Sequence, residues 1–520
     1  MICSSPAAPP GSPGARSTQN GTLEILDRLF KALNASDVSY CQWKSNFALE
    51  RVLSGEKDDV DLLVDRRSLS QVITILLGLG YKPAIVKSEP QPPNVFHYYG
   101  FDQQIDHLVH LHLYGAVYTG ESFINSHLLP FDVMLLASGR TIDGVKVPSK
   151  AAELVCFTLK VFVKYGSLLD LIYLLRETHE IEAEARWLLA DNDLSEALRL
   201  VEKYCPVIEE QLFVKCVSTL SAPTSLVKRL RVAWQVRRRL KIYSRYSRLQ
   251  RLSAYIRLFW GHGRRRLAGN KKSKLLHSGG AIVAFVGPEA SGKSTLVWEC
   301  SHWLGSVFTV KTVHAGKPPA SWLTAPAKHL LPLLRHFLPH FRTTRLESRA
   351  FPANATKSRL PMEGPASLLY ALRAVMVAWD RRQLLLRAGR SAANGEIAIC
   401  DRYPSETIGA MDSPRLREHP GERGVIATLS NWLAQLECRL YAQIPPPDIV
   451  LRLNVSIDTA KIRNRERIKP DKESDAYLES RHRQMGKWHR SGTKYIYDID
   501  TRHPLAETIL NVKRAIWESL

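Results

Sequence analysis

A glycine-bounded loop in the middle of the chain restricts its fold more than any other feature. Residues 282–296 read IVAFVGPEASGKSTL: an apolar run, a loop between Gly287 and Gly292, and a helix-forming run. The loop matches G-x-x-x-x-G-K-[ST], a spacing in which glycines let backbone N–H groups turn inward around phosphate oxygens. The helix that follows directs its positive N-terminus at the same anion. The pattern therefore predicts a strand, a phosphate-binding loop and a helix in succession.

The side chains of this loop indicate which phosphate compound it holds. A lysine placed like Lys293 reaches the β- and γ-phosphates of a nucleoside triphosphate, and a hydroxyl placed like that of Ser294 ligates Mg²⁺. We therefore expect ATP and Mg²⁺ as the cofactors. The predicted nucleotide-contacting residues are Gly287, Pro288, Glu289, Ala290, Ser291, Gly292, Lys293, Ser294 and Thr295.

Strand-like and helix-like segments alternate from Ala281 to the end of the chain. The buried-type strands read AIVAFVG, EIAICDRY, DIVLRLNV and KYIYDID, and helical sequence separates them. Such alternation favours a parallel sheet covered by helices on both faces. We predict an α/β fold for the chain, with a three-layer phosphate-loop domain over residues 276–520.

Charged residues close to these strands are candidates for phosphate chemistry. Asp401 and Arg402 come at the C-terminal end of the strand-like run EIAICDRY, at the edge where ligands of parallel sheets bind. Arg381 lies with an aspartate in the helix-like run AVMVAWDRRQLLL, and a later charged segment carries Arg463 and Arg465. Arginine suits this role because its planar fork binds phosphate in two places. Arg345, Arg349 and Arg467 are additional candidates for binding an anion.

Residues 282–520 resemble the thymidylate kinase family of nucleoside monophosphate kinases. The shared features are the phosphate loop, the D-R-Y triplet from Asp401, the D-R pair in the preceding helix, and a P-D-x-x-x-x-L strand leading to an arginine-bearing segment. The resemblance implies that Asp401 acts near Mg²⁺ and the acceptor. It also implies that Arg381 and Arg402 hold the acceptor phosphate, while Arg463 or Arg465 closes over the transferred group.

The acceptor itself is left open by the sequence. The family's base-contacting segment after D-R-Y has no counterpart in PSETIGAMDSPRL, which follows Tyr403 here. The lead prediction is an ATP- and Mg²⁺-dependent kinase of a nucleoside monophosphate, dTMP among them, or of a related small molecule. The alternatives are a non-catalytic nucleotide-binding regulator and a nucleotidyltransferase.

The first half of the chain carries a second pair of candidate metal ligands. Asp59 and Asp61 are two residues apart in a strand-like run, so their carboxylates share a face and repel unless a cation lies between them. Two acids at this spacing are a common Mg²⁺-binding arrangement. We therefore predict Asp59 and Asp61, together with Ser294 and Asp401 of the second half, as metal ligands.

This layout resembles the nucleotidyltransferase superfamily, in which a G-S turn and a helix precede a D-x-D strand. Here the turn reads Lys44-Ser45-Asn46, and His110 and His112 occupy the later strand where the family has a third acid. Asp106 is nearby in sequence. The resemblance implies an α+β domain over residues 21–150, which is either active with an altered third ligand or degenerate. Two histidines at this spacing are also able to bind a metal.

Positive charge is concentrated between the two halves. The chain carries a net charge of +22, and residues 226–274 contain 17 Lys or Arg and no Asp or Glu. Apolar residues recur there at three- and four-residue spacing, which predicts an amphipathic helix or helical hairpin. An anionic membrane surface and the neighbouring domains are the favoured partners, and nucleic acid is disfavoured because no recognised module accompanies the segment.

Composition completes the predicted organisation. The eight cysteines are scattered without a C-x-x-C pair, which is typical of reduced thiols, and no apolar run approaches the roughly 20 residues of a membrane span. We expect a cytoplasmic protein, peripheral at the membrane if the basic segment binds there, and a homodimer is left open. The predicted divisions are a disordered tail at 1–20, the domain at 21–150, a helical basic connector at 151–275, and the domain at 276–520.

Overall fold

The computed structural model divides the chain into two compact units, Met1–Lys271 and Lys272–Leu520. It describes residues 21–56, 59–86, 92–121, 124–137, 139–165, 178–190, 194–222, 224–267, 274–321, 323–326, 365–408, 410–418, 424–466, 474–486 and 488–520. The predicted tail at 1–20 and the candidates Arg345, Arg349 and Arg467 lie outside these residues.

The N-terminal unit contains both strands and helices. Its strands are β1 Tyr40–Gln42, β2 Asp59–Val64, β3 Lys82–Ile85, β4 Val95–Asp102, β5 His107–Tyr114, β6 Val117–Thr119, β7 His127–Leu129, β8 Gly139–Ile142 and β9 Val145–Pro148. Its helices are α1 Glu24–Asn34, α2 Leu49–Leu53, α3 Leu69–Gly78, α4 Asp132–Ala137, α5 Lys150–Lys164, α6 Thr178–Leu189, α7 Leu194–Tyr204, α8 Glu210–Ser221, α9 Leu226–Arg239 and α10 Arg248–Leu267.

The main sheet of this unit places β5 at its centre. Its strands run in the order β1-β2-β5-β4-β3, with β2 and β5 parallel and the other pairs antiparallel. The amphipathic helix α1 buries Leu26, Leu29 and Leu33 in one core with Leu62 and Leu111 of the sheet. The runs TLEILDRLFKALNAS, VDLLVD and HLVHLHLYG thus contain the helix α1 and the strands β2 and β5.

The helices after residue 150 share a core with this sheet. Leu159 and Phe162 of α5 and Val232 of α9 belong to one buried apolar cluster with Trp43 and Leu63. A buried arginine within the same layer, Arg229, donates to Tyr165 Oη at 2.9 Å and to Glu182 Oε1 at 2.6 Å. The first part of the basic segment, the helix α9, is thus packed into the core of the N-terminal unit. The predicted division of the chain into four parts stays a prediction.

The C-terminal unit is built on a five-stranded sheet. The unit begins with the short strand β10 Leu275–Leu276, which is not part of this sheet. The sheet is formed by β11 Ala281–Val286, β12 Val310–His314, β13 Ile397–Asp401, β14 Ile449–Asn454 and β15 Tyr495–Asp500. Its helices are α11 Lys293–Gly305, α12 Pro365–Ala393, α13 Val425–Ala442, α14 Ile457–Glu466, α15 Asp475–Met485 and α16 Leu505–Ser519.

All pairs in this sheet are parallel, as the alternation of elements predicted. The order is β12-β13-β11-β14-β15, so the loop strand β11 lies in the middle. The strand β12 was not predicted. It lies at the edge of the sheet with Lys311 and Thr312 exposed, and this polar, half-exposed pattern lacks the apolar run of a buried strand.

Helices cover both faces of this sheet. Ile282 and Ala284 of β11 pack with α12 and α13 in one core cluster, while alternation turns Val283 and Phe285 to the opposite face. On that face, Trp303 of α11 and Trp517 of α16 pack together with ring centroids 6.1 Å apart. The protein is therefore of the mixed α/β class. Within the described parts of the chain, no helix combines the length and the apolarity needed to cross a bilayer.

Candidate functional site

The loop between β11 and α11 adopts a backbone that few sequences can follow. Gly292 and Ala290 both have a positive φ, of 86° and 62°. A Cβ at Gly287 would lie 2.8 Å from Ser291 Oγ and 2.9 Å from the carbonyl oxygen of Leu453, so only glycine fits there. These constraints wind the loop tightly around the start of α11, as the spacing of the glycines predicted.

Lys293 lies inside this loop. The residue is buried, and its Nζ donates to the carbonyl oxygens of Gly287 at 2.9 Å and Pro288 at 2.5 Å, with Ser291 Oγ at 3.4 Å. Burial lowers the pKa of Lys293 to about 8, because a charged ammonium is disfavoured away from water. The ammonium group of Lys293 lies inside the loop, where the oxygen of a bound phosphate would accept its hydrogen bonds.

Three neighbouring strands end at the same edge of the sheet beside the loop. In the register of the sheet, Asp401 of β13 is paired with Phe285 of β11 and with His314 of β12. Asp401 Oδ2 lies 3.5 Å from Ser294 Oγ and accepts from His314 Nδ1 at 3.0 Å. The edge is the carboxyl end of parallel strands, where ligands of such folds bind.

The second oxygen of Asp401 is the atom that best fits a metal. Oδ1 is buried and has no hydrogen-bond partner among the described residues. A buried carboxylate oxygen without a partner is costly unless a ligand satisfies it. Together with the Ser294 hydroxyl it offers the hard oxygen ligands that Mg²⁺ prefers. The residues present therefore fit Mg²⁺ at this position.

Arg402 follows Asp401 in a left-handed conformation with φ 72°, and its backbone N–H donates to Phe285 O at 3.0 Å. Its guanidinium forms an ion pair with Glu289 of the loop and lies 3.5 Å from Asp412 Oδ2. Burial opposes this charge, yet Asp412 and Glu289 raise the pKa of Arg402. The arginine therefore stays cationic beside the loop between β11 and α11.

A second arginine, which the sequence analysis missed, lies at the same carboxylates. Arg481 Nη2 is 3.9 Å from both Glu289 Oε1 and Asp412 Oδ1. Burial alone would raise the pKa of Glu289, and Arg402, Lys293 and Arg481 together lower it below its ordinary value. Arg481 gave little sequence signal, because it stands in the run SRHRQMGK, which reads as one more exposed charged helix. Asp412 stands in the irregular run after Tyr403, and His314 ends β12, the strand that the sequence did not predict.

Arg381 occupies a structural position next to this cluster. It is buried, and its Nε donates to Ala315 O at 2.8 Å while Nη1 donates to Asp412 O at 3.1 Å and to Tyr441 Oη. Its neighbour Asp380 accepts from Thr324 Oγ1 at 2.7 Å and from the Ser321 backbone. The D-R pair thus braces the loops around the site.

The structure places Arg463 and Arg465 elsewhere. Arg463 donates to the carbonyl oxygen of Thr501 at 2.6 Å, after the end of β15. Arg465 is largely exposed and pairs with Asp475 Oδ2 at 3.1 Å. Neither contact involves the loop, whereas Arg402 and Arg481 each lie within 4 Å of carboxylate oxygens of Glu289 and Asp412.

The paired aspartates of the N-terminal unit have different surroundings. Asp61 Oδ1 is bound by Lys44 Nζ at 2.9 Å and by His112 Nδ1 at 3.2 Å. Asp59 Oδ1 lies 2.5 Å from His110 Nδ1. Burial would raise the pKa of Asp61, and the charge of Lys44 with the hydrogen bond from His112 lowers it instead. An ammonium group and two imidazoles thus occupy the positions next to these carboxylates.

This donor set does not fit a pair of magnesium ions. Asp106 lies in the turn before β5, with a φ of 58°, and not on the strand face that carries Asp59 and Asp61. In the register of the sheet His110 and His112 lie opposite Asp59 and Asp61, so imidazoles and not a further carboxylate flank the pair. The Lys44-Ser45-Asn46 turn is nevertheless followed by helical structure, a single turn at Asn46–Ala48 and then α2.

Comparison of the chain with protein-family models gives no match, and comparison with curated proteins gives none either. The two clusters described above are therefore the features of the chain that indicate a function. One holds a lysine, two arginines and three acidic residues at the glycine-constrained loop between β11 and α11, and the other holds a lysine and histidines around two aspartates.

Proposed function

We propose that the protein is an ATP- and Mg²⁺-dependent phosphotransferase whose site lies in the C-terminal unit. The observation that carries this proposal is the placement of Lys293, Ser294 and Asp401 at one edge of a parallel sheet. Lys293 lies inside a glycine-constrained loop, and Asp401 Oδ2 lies 3.5 Å from the Ser294 hydroxyl. These are the groups that hold a nucleoside triphosphate and its metal in phosphoryl transfer.

Each residue has a role that follows from its contacts. The backbone N–H groups of the loop and Lys293 bind the β- and γ-phosphates, and Asp401 with Ser294 holds the metal. When bound, Mg²⁺ neutralises charge that develops on the phosphate oxygens. We assign Arg402 and Arg481 to the acceptor phosphate, since both lie within 4 Å of the carboxylates of Glu289 and Asp412 beside the loop.

We infer the chemical class of the acceptor from Arg402 and Arg481. Two guanidinium groups beside one loop suit a compound that already carries a phosphate, because arginine binds phosphate through two parallel hydrogen bonds. We propose a nucleoside monophosphate, with dTMP one candidate, or a sugar phosphate. An oxygen of its phosphate attacks the γ-phosphorus of ATP, the bond to the bridging oxygen breaks, and ADP leaves.

A panel of nucleoside monophosphates and sugar phosphates, incubated with ATP, MgCl₂ and the full-length protein, tests this proposal. Mass spectrometry should find one acceptor that gains a phosphate while ADP accumulates in equal amount. The matched reaction with Lys293→Ala should form both products on the order of 10²–10³-fold more slowly. Hydrolysis of ATP with no phosphorylated acceptor across the panel would contradict the transferase proposal and favour a nucleotide-dependent switch.

The N-terminal unit fits a degenerate nucleotidyltransferase-like domain better than an active one. Its aspartates are bound by Lys44, His110 and His112, and its third carboxylate is replaced. Nucleotidyl transfer as the main activity is the weaker candidate for this reason. A panel of nucleoside triphosphates that yields pyrophosphate with wild type, but not with Asp59→Asn, would reverse this ranking.

A membrane-associated role is favoured by one further observation. Large apolar side chains on the basic helices are exposed, including Trp234 at 62%, Leu249 at 79% and Trp260 at 72%. Exposed apolar residues among arginines suit the interface of an anionic bilayer. We propose that α9 and α10 bind such a surface, which makes the protein peripheral at a membrane in the cytoplasm.

Vesicles of phosphatidylcholine with and without phosphatidylserine test the membrane proposal. Sedimentation should recover the protein with the anionic vesicles only, and Leu249→Ser with Trp260→Ser should release it. Val425→Ser, which changes an exposed residue at 86% outside the basic helices, is the matched control. Equal recovery of all variants would contradict the proposal, and a concentration-dependent shift in mass without vesicles would indicate a homodimer instead.

A further inference from the structure

Three histidines converge on one face of the N-terminal sheet. In the register of the sheet, His112 of β5 is paired with His97 of β4, and His110 with Tyr99. Because residues two apart in a strand point the same way, His97, His110 and His112 share the face that also carries Asp59 and Asp61 of the neighbouring strand β2. The sheet itself therefore assembles the group from three strands.

The imidazole nitrogens are spaced like ligands of one metal ion. One nitrogen from each histidine lies within 4.8 Å of the others. His97 Nδ1 and His110 Nε2 are 3.2 Å apart. Two imidazole nitrogens bound to one tetrahedral Zn²⁺, each at about 2.0–2.1 Å from the ion, are about 3.3 Å apart. The ring positions thus need little change to receive an ion.

Two carboxylates orient these rings from behind. His110 Nδ1 lies 2.5 Å from Asp59 Oδ1, and His112 Nδ1 lies 3.2 Å from Asp61 Oδ1. A neutral imidazole that donates from Nδ1 to a carboxylate carries its lone pair on Nε2. Metal-binding histidines usually have such a carboxylate partner, which fixes the ring and strengthens its donor nitrogen.

The histidine rings are packed against a neighbouring aromatic ring and are largely shielded from solvent. Tyr99 stacks on His110 with ring centroids 4.5 Å apart and an angle of 4° between the ring planes. The side chains of His110 and His112 are 11% and 18% exposed, so the cluster is largely buried yet still accessible. Lys44 compensates the charge of Asp61 at 2.9 Å, so the imidazoles and not Asp61 are the natural ligands of a cation.

We propose that His97, His110 and His112 form a binding site for Zn²⁺ or a related transition-metal ion, with Asp59 and Asp61 as the groups that orient the ligands. Imidazole nitrogen suits Zn²⁺, whereas Mg²⁺ prefers oxygen. Three protein ligands leave a fourth position of the tetrahedron for water or another ligand, as in zinc sites that bind small molecules. The site belongs to the N-terminal unit alone and does not depend on the phosphotransferase proposal.

Metal titration of the full-length protein, stripped with a chelator, tests this site. Calorimetry with ZnCl₂ should give one bound ion per chain, and CoCl₂ should produce the visible absorption of a tetrahedral complex. His97→Gln and His112→Gln should each lose both signals. His107→Gln, on the opposite face of the same strand β5, should keep them.

The carboxylates provide a finer readout. Asp59→Asn should leave one zinc site with about 10–100-fold lower affinity, because the change removes an orienting partner and not a ligand. Absence of the cobalt spectrum in the wild-type protein would overturn the proposal without any variant. Stoichiometric zinc binding that survives in both His97→Gln and His112→Gln would overturn it too, as would displacement of Zn²⁺ by an equal concentration of Mg²⁺.

Discussion

Each unit has an aspartate on a strand of a parallel pair, with a lysine nearby. The two aspartates, Asp401 and Asp61, differ in the hydrogen-bond partners of their carboxylate oxygens. Asp401 keeps a buried oxygen without a hydrogen-bond partner among the described residues, next to a serine hydroxyl. Asp61 is bound by Lys44 and His112. The same residue type therefore suits Mg²⁺ in one unit and serves as an anchor for a cation and an imidazole in the other.

Lys293 and Lys44 also differ in their hydrogen-bond partners. Lys293 donates to backbone carbonyl oxygens of its own loop, which a phosphate oxygen can replace as a partner. Lys44 donates to Asp61 and to Tyr114 Oη at 2.7 Å, and lies over the rings of Trp43 and Tyr114. A lysine held by a carboxylate and two aromatic rings is a structural cation.

Substitution of the two lysines should give the largest difference. Lys293→Ala should lower phosphotransfer by on the order of 10²–10³-fold, because one fixed donor to the transferred phosphate is lost. Lys44→Ala should keep phosphotransfer and lower the free energy of unfolding by about 3 kcal/mol, since it leaves the buried Asp61 without its cation. Steady-state kinetics and urea unfolding of both variants measure these effects, and similar phosphotransfer in the two would break the contrast.

Two arginines of the C-terminal unit should differ by a smaller factor. Arg481→Ala should raise the KM for the acceptor by on the order of 10–100-fold, since it removes a phosphate-binding fork beside Glu289. Arg463→Ala should leave that KM within about twofold, because Arg463 contacts Thr501 instead. If Arg463→Ala has the larger effect, the segment around it closes over the site when substrate is bound.

The pH dependence of ATP binding should give the smallest effect. The pKa of Lys293 is lowered to about 8, so the free protein loses this ammonium as the pH rises through that value. Because ATP binds the charged form, its affinity should fall above about pH 8 by up to about tenfold per pH unit. Lys293→Arg should bind with a flatter profile, since arginine stays protonated. An affinity that is constant between about pH 7 and 9.5 in the wild type would contradict this role.

The sequence predicted the parts of the site that depend on local spacing. The fixed interval between Gly287 and Lys293 determines the loop, and the strand before Asp401 determines where its carboxylate emerges. Four of the five strands of the parallel sheet followed from apolar runs, and the half-exposed edge strand β12 did not. These features depend on backbone geometry over a few residues, which a single sequence records directly.

The residues that the sequence did not predict are brought together by tertiary packing. Arg481 reaches Glu289 from a helix that begins 186 positions later in the chain (475 against 289), and no local pattern distinguishes it from exposed arginines nearby. Only two of the three histidines of the cluster were identified from the sequence. His110 and His112 form a pair on one strand, but His97 joins them only through the register of β4 against β5.

The magnesium dependence of ATP binding tests the central contrast most directly. Calorimetry with ATP, with and without MgCl₂, would be carried out on wild type, Asp401→Asn and Asp61→Asn. We expect Mg²⁺ to strengthen ATP binding in wild type and in Asp61→Asn, and to have no effect in Asp401→Asn. Magnesium dependence that is lost in Asp61→Asn and kept in Asp401→Asn would place the magnesium site in the N-terminal unit and contradict the account.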